Sequence, residues 1–336
     1  MIIGNRNTDE HVLIIAEIGN NHEGNFDTAV RLVHAAANCG VDGVKFQTFK
    51  TEKFIRITDT ARFERLKSFE LTYSQFSQLS QLAHSLGMLF ISTPLDLESA
   101  QFLDSIIDAY KIASGDNNFY PLLDEVAKTG KPVILSTGAS DPELIVNAVS
   151  ALENGWEKYN KRSDLAILHC VSCYPAPENQ VNLQIITYLS EKYRYSIGYS
   201  DHAIGIEASV LAVACGARII EKHFTLDNSF SSFRDHQISA DPKDMSELVR
   251  RIRSASILIG SNDKKIQPCE SELSIAIRRS IVAGIDMEIG HVIGFSDLMW
   301  IRPGGGLAPG NEYKLLGKRL KRFVQLGESL HESDIE

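Results

Sequence analysis

The sequence predicts an α/β protein, a (β/α)8 TIM barrel followed by a small β-rich domain. Three observations predict it. Short runs rich in Ile, Val and Phe recur eight times in the first 230 residues. Stretches with apolar residues at three- and four-residue spacing separate most of them, the pattern of helices laid on a core. No Gly-x-Gly-x-x-Gly follows the first run, as it would in the dinucleotide-binding version of the structural alternative, a doubly wound open sheet.

Taken in order, the runs are VLIIAEIG (12–19), GVKFQTF (43–49), LFISTP (89–94), AYKIASG (109–115), PVILSTG (132–138), LAILHCVSCYP (165–175), SIGYSDH (196–202) and IIEKHFTLD (219–227). Runs this continuously apolar read as strands buried on both faces. FDTAVRLVHAAANCG and YSQFSQLSQLAHSLG between them each end on glycine, the residue that most easily adopts the left-handed conformation closing a helix. Eight such units over roughly 260 residues is the rhythm of a barrel. The barrel is assigned to residues 1–262. The charged, helix-poor stretch NDKKIQPCESE reads as a linker (263–273), and residues 274–336 show short β-like runs broken by glycines. A domain of that size is near the lower limit for a self-sufficient core.

Hydrophobic residues make up 43% and charged residues 23%, which excludes a disordered chain. Asp and Glu (43) outnumber Lys and Arg (34), giving net charge −9, which argues against a chain-wide role in binding nucleic acid or anionic membranes. MIIGNRNTDEH lacks the apolar core of a secretory leader, and Ala208–Ala217 with Ile219 and Ile220 is interrupted by Arg218, too short to span a bilayer. Five cysteines, odd and sparse, form no disulfide framework. A cytoplasmic protein is the expectation.

Catalytic groups of such barrels sit where strands end. Those positions hold Glu17, Asn20, Asn21, His22, Lys45, Gln47, Thr93, Lys111, Ser114, Ser136, Thr137, Ser172, Tyr174, Ser200, Asp201, His202, Glu221, Lys222 and His223. Packing alone does not call for so many polar groups, and burying them unpaired is costly. They point to a polar ligand. A single strand lysine is commonly a rim charge, but Lys45 and Lys111 beside Ser and Thr hydroxyls fit a phosphate or carboxylate. A lone histidine is commonly structural, yet His202 and His223 end consecutive strands, and two neutral imidazoles suit a divalent metal acting as a Lewis acid. Both readings stand at this point. Cys170-x-x-Cys173 has no second pair and reads as buried thiols. Lys314, Lys318, Arg319, Lys321 and Arg322 read as a solvated face. Arg302-Pro-Gly-Gly-Gly fits either a tight turn or a ligand clamp.

The ordered motifs AEIGNNHEGN, VKFQTF, STP, KIASGDNNFYPLL, KPVILSTG, YSDH and EKHFTLD resemble the sialic acid synthase family, and SIVAGIDMEIGHVI…IRPGGGL resembles its C-terminal antifreeze-like (SAF) domain. The resemblance implies a metal-dependent condensation of phosphoenolpyruvate (PEP) with the aldehyde form of an N-acylated hexosamine such as N-acetylmannosamine. The products are then a nine-carbon keto acid such as N-acetylneuraminate, and phosphate. Legionaminic and pseudaminic acid synthases, which take 2,4-diacetamido-2,4,6-trideoxyhexoses, are the alternative within the family. By resemblance, His202 and His223 ligate Mn2+, Mg2+ or Co2+, and Glu17 is the acid–base carboxylate. Lys45, Thr93, Lys111, Ser114, Ser136, Ser172 and Ser200 hold PEP. Gln47, Tyr174 and Asp235 face the sugar, and Arg302 reaches its N-acyl group from the partner of a domain-swapped homodimer. Two departures concern Ser172, where some relatives carry Asn, and Phe233-Arg234, where many carry Gly-Pro; Arg234 is the one nearby cation named for a 6-phosphorylated acceptor. Outside the family, a Schiff-base aldolase using Lys45, Lys111 or Lys222 and a non-enzymatic carbohydrate- or ice-binding protein are the competing classes.

Overall fold

A computed structural model describes residues 1–336. It divides into two compact units, Met1–Gly260 and Ser261–Glu336. In the first, eight parallel strands close into a barrel: β1 (Leu13–Gly19), β2 (Gly43–Thr48), β3 (Leu89–Pro94), β4 (Ala109–Ile112), β5 (Val133–Ser136), β6 (Leu165–Cys170), β7 (Ser196–Asp201) and β8 (Ile219–His223). Each pairs with the next, and β8 closes on β1 from Ile219–Leu13 to His223–Glu17. The eight runs read from sequence are these eight strands.

Strand alternation separates two apolar layers. Outward residues such as Ile14, Val44, Phe90 and Ile167 pack under the helices in the main core. Inward residues Leu13, Ile15, Leu89, Ile91, Ala109, Ile134, Ala166, Leu168 and Ile219 fill the lower lumen. A short hairpin, Ile2–Ile3 with Arg6–Asn7, puts the fully buried Ile3 into that same cluster. The hairpin was not read from sequence. Gly198 has to be a glycine, because a Cβ there would come within 2.4 Å of Leu168 Cδ2.

The helices are bounded as their sequences dictate. In α1 (Phe26–Cys39), the Asn25 side chain accepts from the Thr28 N–H, and Gly40 closes the other end at φ 79°. Two further helices, Thr51–Phe54 and α2 (Thr60–Phe69), lie before α3 (Tyr73–Ser85), whose Thr72 and Gln75 make a reciprocal capping box. The longest helix, Pro242–Ile259, ends the unit, and no helix of the chain is long and apolar enough to cross a membrane.

In the second unit, the stretch expected as a linker carries a 3-10 turn (Pro268–Glu270) and the start of a short helix (Ser271–Ala276). β9 (Ser280–Ala283) and β10 (Leu298–Ile301) are antiparallel. With isolated bridges such as Met287–Val324 they surround a core of Ile281, Met287, Ile293, Leu298, Leu315, Leu320, Val324 and Leu330. Of the three glycines after Arg302, two are explained by packing, since a Cβ on Gly306 would lie 2.8 Å from Ser329 Cβ and one on Gly304 3.1 Å from the Ile275 carbonyl oxygen, and Gly305 by its backbone at φ 124°. Arg302 itself is exposed. The basic run is not simply solvated, since Arg322 binds Asp334 and Glu328 at 2.7 Å each, and Lys314 reaches Glu332.

Candidate active site

Above the apolar lower layer, the next inward residues are polar. β1 contributes Glu17, β2 Lys45 and Gln47, β3 Thr93, β4 Lys111, β5 Ser136, β7 Ser200 and β8 Glu221 and His223, with His202 just past the end of β7. All of them line one cavity of about 1020 Å3, together with Ser114, Ser172, Tyr174 and Asp235. Every barrel residue given a role by the family resemblance is thus on the wall of a single chamber, whereas Asn21, His22, Thr137, Asp201 and Lys222 of the strand-end set are not. Arg302 belongs to the second unit.

Four buried charges occupy the chamber's floor. Lys45 Nζ lies 2.8 Å from Glu17 Oε2, a close charge contact, and 3.7 Å from Glu221 Oε1. Lys111 holds both Glu221 oxygens, at 2.9 and 3.0 Å, and the Ser200 hydroxyl donates to Glu221 at 2.9 Å. Lys45 also donates to Thr93 Oγ1 at 3.3 Å. Glu221 stood among the strand-end polar positions read from the sequence, two residues before His223 and so on the same inward face, but it was given no role there. The two carboxylates differ. Burial pushes the Glu17 carboxyl above its ordinary value despite Lys45. Burial acts on Glu221 too, but Lys111 and Lys45 together outweigh it and hold Glu221 well below the usual range. Burial lowers the Lys111 ammonium, whereas at Lys45 the Glu17 and Glu221 charges overcome burial and raise it.

Beside this cluster, unfilled polar groups mark where a ligand would bind. The Ser136 hydroxyl is buried without a partner. The Gly138 N–H donates to Ser114 Oγ at 2.9 Å, and a Cβ on Gly138 would lie 2.2 Å from Ser172 Oγ and 3.1 Å from Cys170 Sγ. Of the Cys-x-x-Cys pair, Cys170 is buried on the chamber wall, but Cys173 is exposed, so the expectation of two buried thiols holds for one.

The imidazoles of His202 and His223 face each other with ring centroids 5.4 Å apart, and Tyr174 lies 4.1 Å from the former. His202 Nδ1 donates to the Val171 carbonyl at 2.7 Å, which leaves Nε2 with its lone pair, and His223 Nδ1 is buried without a partner. Burial keeps both neutral, His202 lowered to about 4 and His223 well below the ordinary value. Neutral rings with open nitrogens fit a divalent ion, and no group of three or more His, Cys, Asp or Glu suited to a metal gathers in the chain. Asn21 and His22 are structural instead. Asn21 binds the Phe224 carbonyl at 2.8 Å and Ser239 at 3.0 Å, and His22 Nδ1 accepts from the Gly24 N–H.

The mouth has a different character. Phe54, Leu66, Phe69, Leu95 and Phe233 make an apolar wall, with the Phe69 and Phe233 rings 5.2 Å apart, edge to face. Arg234 places its guanidinium 4.9 Å above the Tyr174 ring. It is not the one cation there, because Arg62 and Arg65 of α2 line the same chamber. The polar sequence of α2 hid them from strand-end reasoning. Asp116, also on the wall, is raised to about 6 by burial.

The sequence model of the NeuB family matches residues 32–264. The chain belongs to the NeuB family. A SAF domain matches residues 278–336, so the family resemblance seen in the motifs holds for the barrel and for the C-terminal part. Among relatives, an uncharacterized protein of Methanocaldococcus jannaschii is 42% identical, with 97% of this chain and 95% of the relative covered. N,N'-diacetyllegionaminic acid synthase of Legionella pneumophila is 39% identical, covering 96% of this chain and 94% of the relative. The structure of N-acetylneuraminic acid (sialic acid) synthetase from Leptospira borgpetersenii in complex with citrate is 36% identical, with TM-score 0.74, 81% of this chain and 92% of that one covered. This NeuB-family protein is an enzyme of the sialic acid synthase type, and the chamber is its candidate active site.

Proposed function

We propose that the enzyme is a nonulosonic acid synthase that condenses PEP with the aldehyde form of an N-acylated hexosamine, taking up water and releasing phosphate. The observation that carries this reading is the buried Lys45–Glu17–Lys111–Glu221 cluster beside two neutral imidazoles. Lys45, Lys111 and the hydroxyls of Thr93, Ser114, Ser136, Ser172 and Ser200 bind the PEP carboxylate and phosphate. The enol carbon C3 of PEP adds to the aldehyde carbon, water adds to C2, and the C2–O bond to phosphate breaks. Glu17, the more easily protonated carboxyl, gives a proton to the new alkoxide and then accepts one from the attacking water. Glu221 holds Lys111 in place. His202 and His223 would hold a divalent cation, which when bound supplies Lewis-acid polarisation of a carbonyl oxygen. Gln47, Tyr174 and Asp235 orient the sugar.

For the acceptor, the apolar wall of Phe54, Leu66, Phe69, Leu95 and Phe233 favours a 6-deoxy sugar with two acetamido groups, in keeping with the name of the Legionella relative. Arg62, Arg65 and Arg234 favour a second reading, an acceptor carrying phosphate on C6. The test is phosphate release from PEP with Mn2+ and, in turn, 2,4-diacetamido-2,4,6-trideoxymannose, N-acetylmannosamine and its 6-phosphate, with EDTA and no-sugar controls. The expected outcome is release that needs both metal and sugar, fastest with the trideoxy sugar, and a nine-carbon keto acid by mass spectrometry. Release with none of the three sugars would remove the synthase reading, and preference for the phosphate ester would replace the first acceptor with the second.

A further inference from the structure

Two buried charges sit directly behind the imidazole pair and have no part in the chemistry above. Asp201 and Lys222 face each other across β7 and β8, each one residue before its histidine. Alternation turns them away from the lumen, and they are 0% and 1% exposed. Lys222 Nζ lies 3.2 Å from Asp201 Oδ2 and donates to the Ala203 carbonyl. Asp201 accepts from the Ser209 hydroxyl at 2.6 Å, the Ala203 N–H at 2.8 Å and the Tyr199 phenol at 3.2 Å.

The two side chains therefore grip both the N–H and the carbonyl of Ala203, the residue that follows His202. Asp201–Lys222 is also the last rung of the β7–β8 ladder. His202 lies beyond it, whereas His223 is still in register with Glu17 of β1. Without the grip on Ala203, the backbone carrying His202 would leave the sheet with the Ala176 N–H on its carbonyl and the Val171 carbonyl on its ring as its remaining ties. Taking two charges out of water is costly, and the outward position of β1 in register with Lys222 holds the apolar Ala16, while Ile112 pairs with Leu135 across β4 and β5 and the buried polar residues Thr48, Ser92 and His169 of β2, β3 and β6 form no ion pair. Barrel closure alone does not ask for an ion pair there.

We infer that Asp201 and Lys222 are positioning residues that set the spacing of His202 and His223 for a divalent cation. This rests on the metal reading given under the proposed function. Groups that bond a ligating histidine directly typically contribute roughly 10–100-fold in metal affinity, and Asp201 and Lys222 act one step further back, through the Ala203 backbone.

The test uses full-length Lys222→Met, Asp201→Asn, the double variant Asp201→Asn/Lys222→Met, and the milder Ser209→Ala. The double variant leaves no lone buried charge, so it and Ser209→Ala decide the matter if a single variant fails to fold. Mn2+ binding is measured by electron paramagnetic resonance of the free ion, PEP binding without metal by calorimetry, and Tm by scanning fluorimetry. The expected result is Mn2+ affinity lowered roughly 10-fold, the low end of that range, in the double variant and less in Ser209→Ala, with PEP affinity unchanged. Wild-type binding that depends on His202, together with unaltered Mn2+ affinity in the double variant, overturns the positioning role alone, whatever happens to Tm. A wild-type protein whose Mn2+ binding survives His202→Ala overturns the metal reading and this inference with it.

Discussion

Glu17 and Glu221 share one pair of lysines, and the sharing makes them unequal. Lys45 and Lys111 against Glu17 and Glu221 give the floor of the chamber a formal charge of zero before any ligand arrives. A polyanion entering there draws a proton to the carboxyl that already holds one most easily, and that is Glu17, raised by burial. PEP binding is therefore expected to take up a proton at a pH above the Glu17 pKa, and its affinity to fall as pH rises through that range. Calorimetry over a series of pH values, each in two buffers of different ionisation enthalpy, measures the uptake. Wild type should show it and Glu17→Gln should not; equal uptake by both would assign the proton to another group. Position and alternation made Glu17, Lys45 and Lys111 legible as site residues. The division of labour between the carboxylates was not, because it depends on which lysine reaches across the lumen, and strand order alone does not fix a side chain's reach.

Among the elements, the turn after β5 shows how a backbone position can control a ligand site. Gly138 sits under the hydroxyls of Ser114 and Ser172, so Gly138→Ala would force both aside while leaving the strand ladder intact. A hydrogen bond to a charged group contributes about 1.5–3 kcal/mol, so losing one should raise KM for PEP about tenfold or more, with the acceptor KM little changed. Steady-state kinetics with each substrate varied checks this, and a larger effect on the acceptor would move the hydroxyls out of the PEP site. The eight strands were readable because burial on both faces demands unbroken apolar runs. Helix α2 was not, since TARFERLKSF buries only Phe63, Leu66 and Phe69 and otherwise reads as loop. Arg62 and Arg65 went unseen with it. Asp116 was passed over for a related reason, as it lies in a 3-10 turn where no periodicity applies.

On the scale of the whole molecule, the lumen has an apolar lower tier closed by Ile3 and a polar upper tier opening to the mouth. The family resemblance further proposes that Arg302 serves the acceptor from a second copy of the chain. Mixing inactive His202→Ala with inactive Arg302→Ala protein should then restore part of the activity after subunit exchange, and no recovery would limit each site to one chain. The closed lower tier has a kinetic consequence. A chamber with a single entrance works as a stack: what occupies the floor must arrive before whatever rests on it and cannot leave until that has gone. On the proposed assignment PEP lies on the floor and the sugar at the mouth, so a sugar that enters first blocks the way, and an excess of acceptor slows the very reaction it feeds.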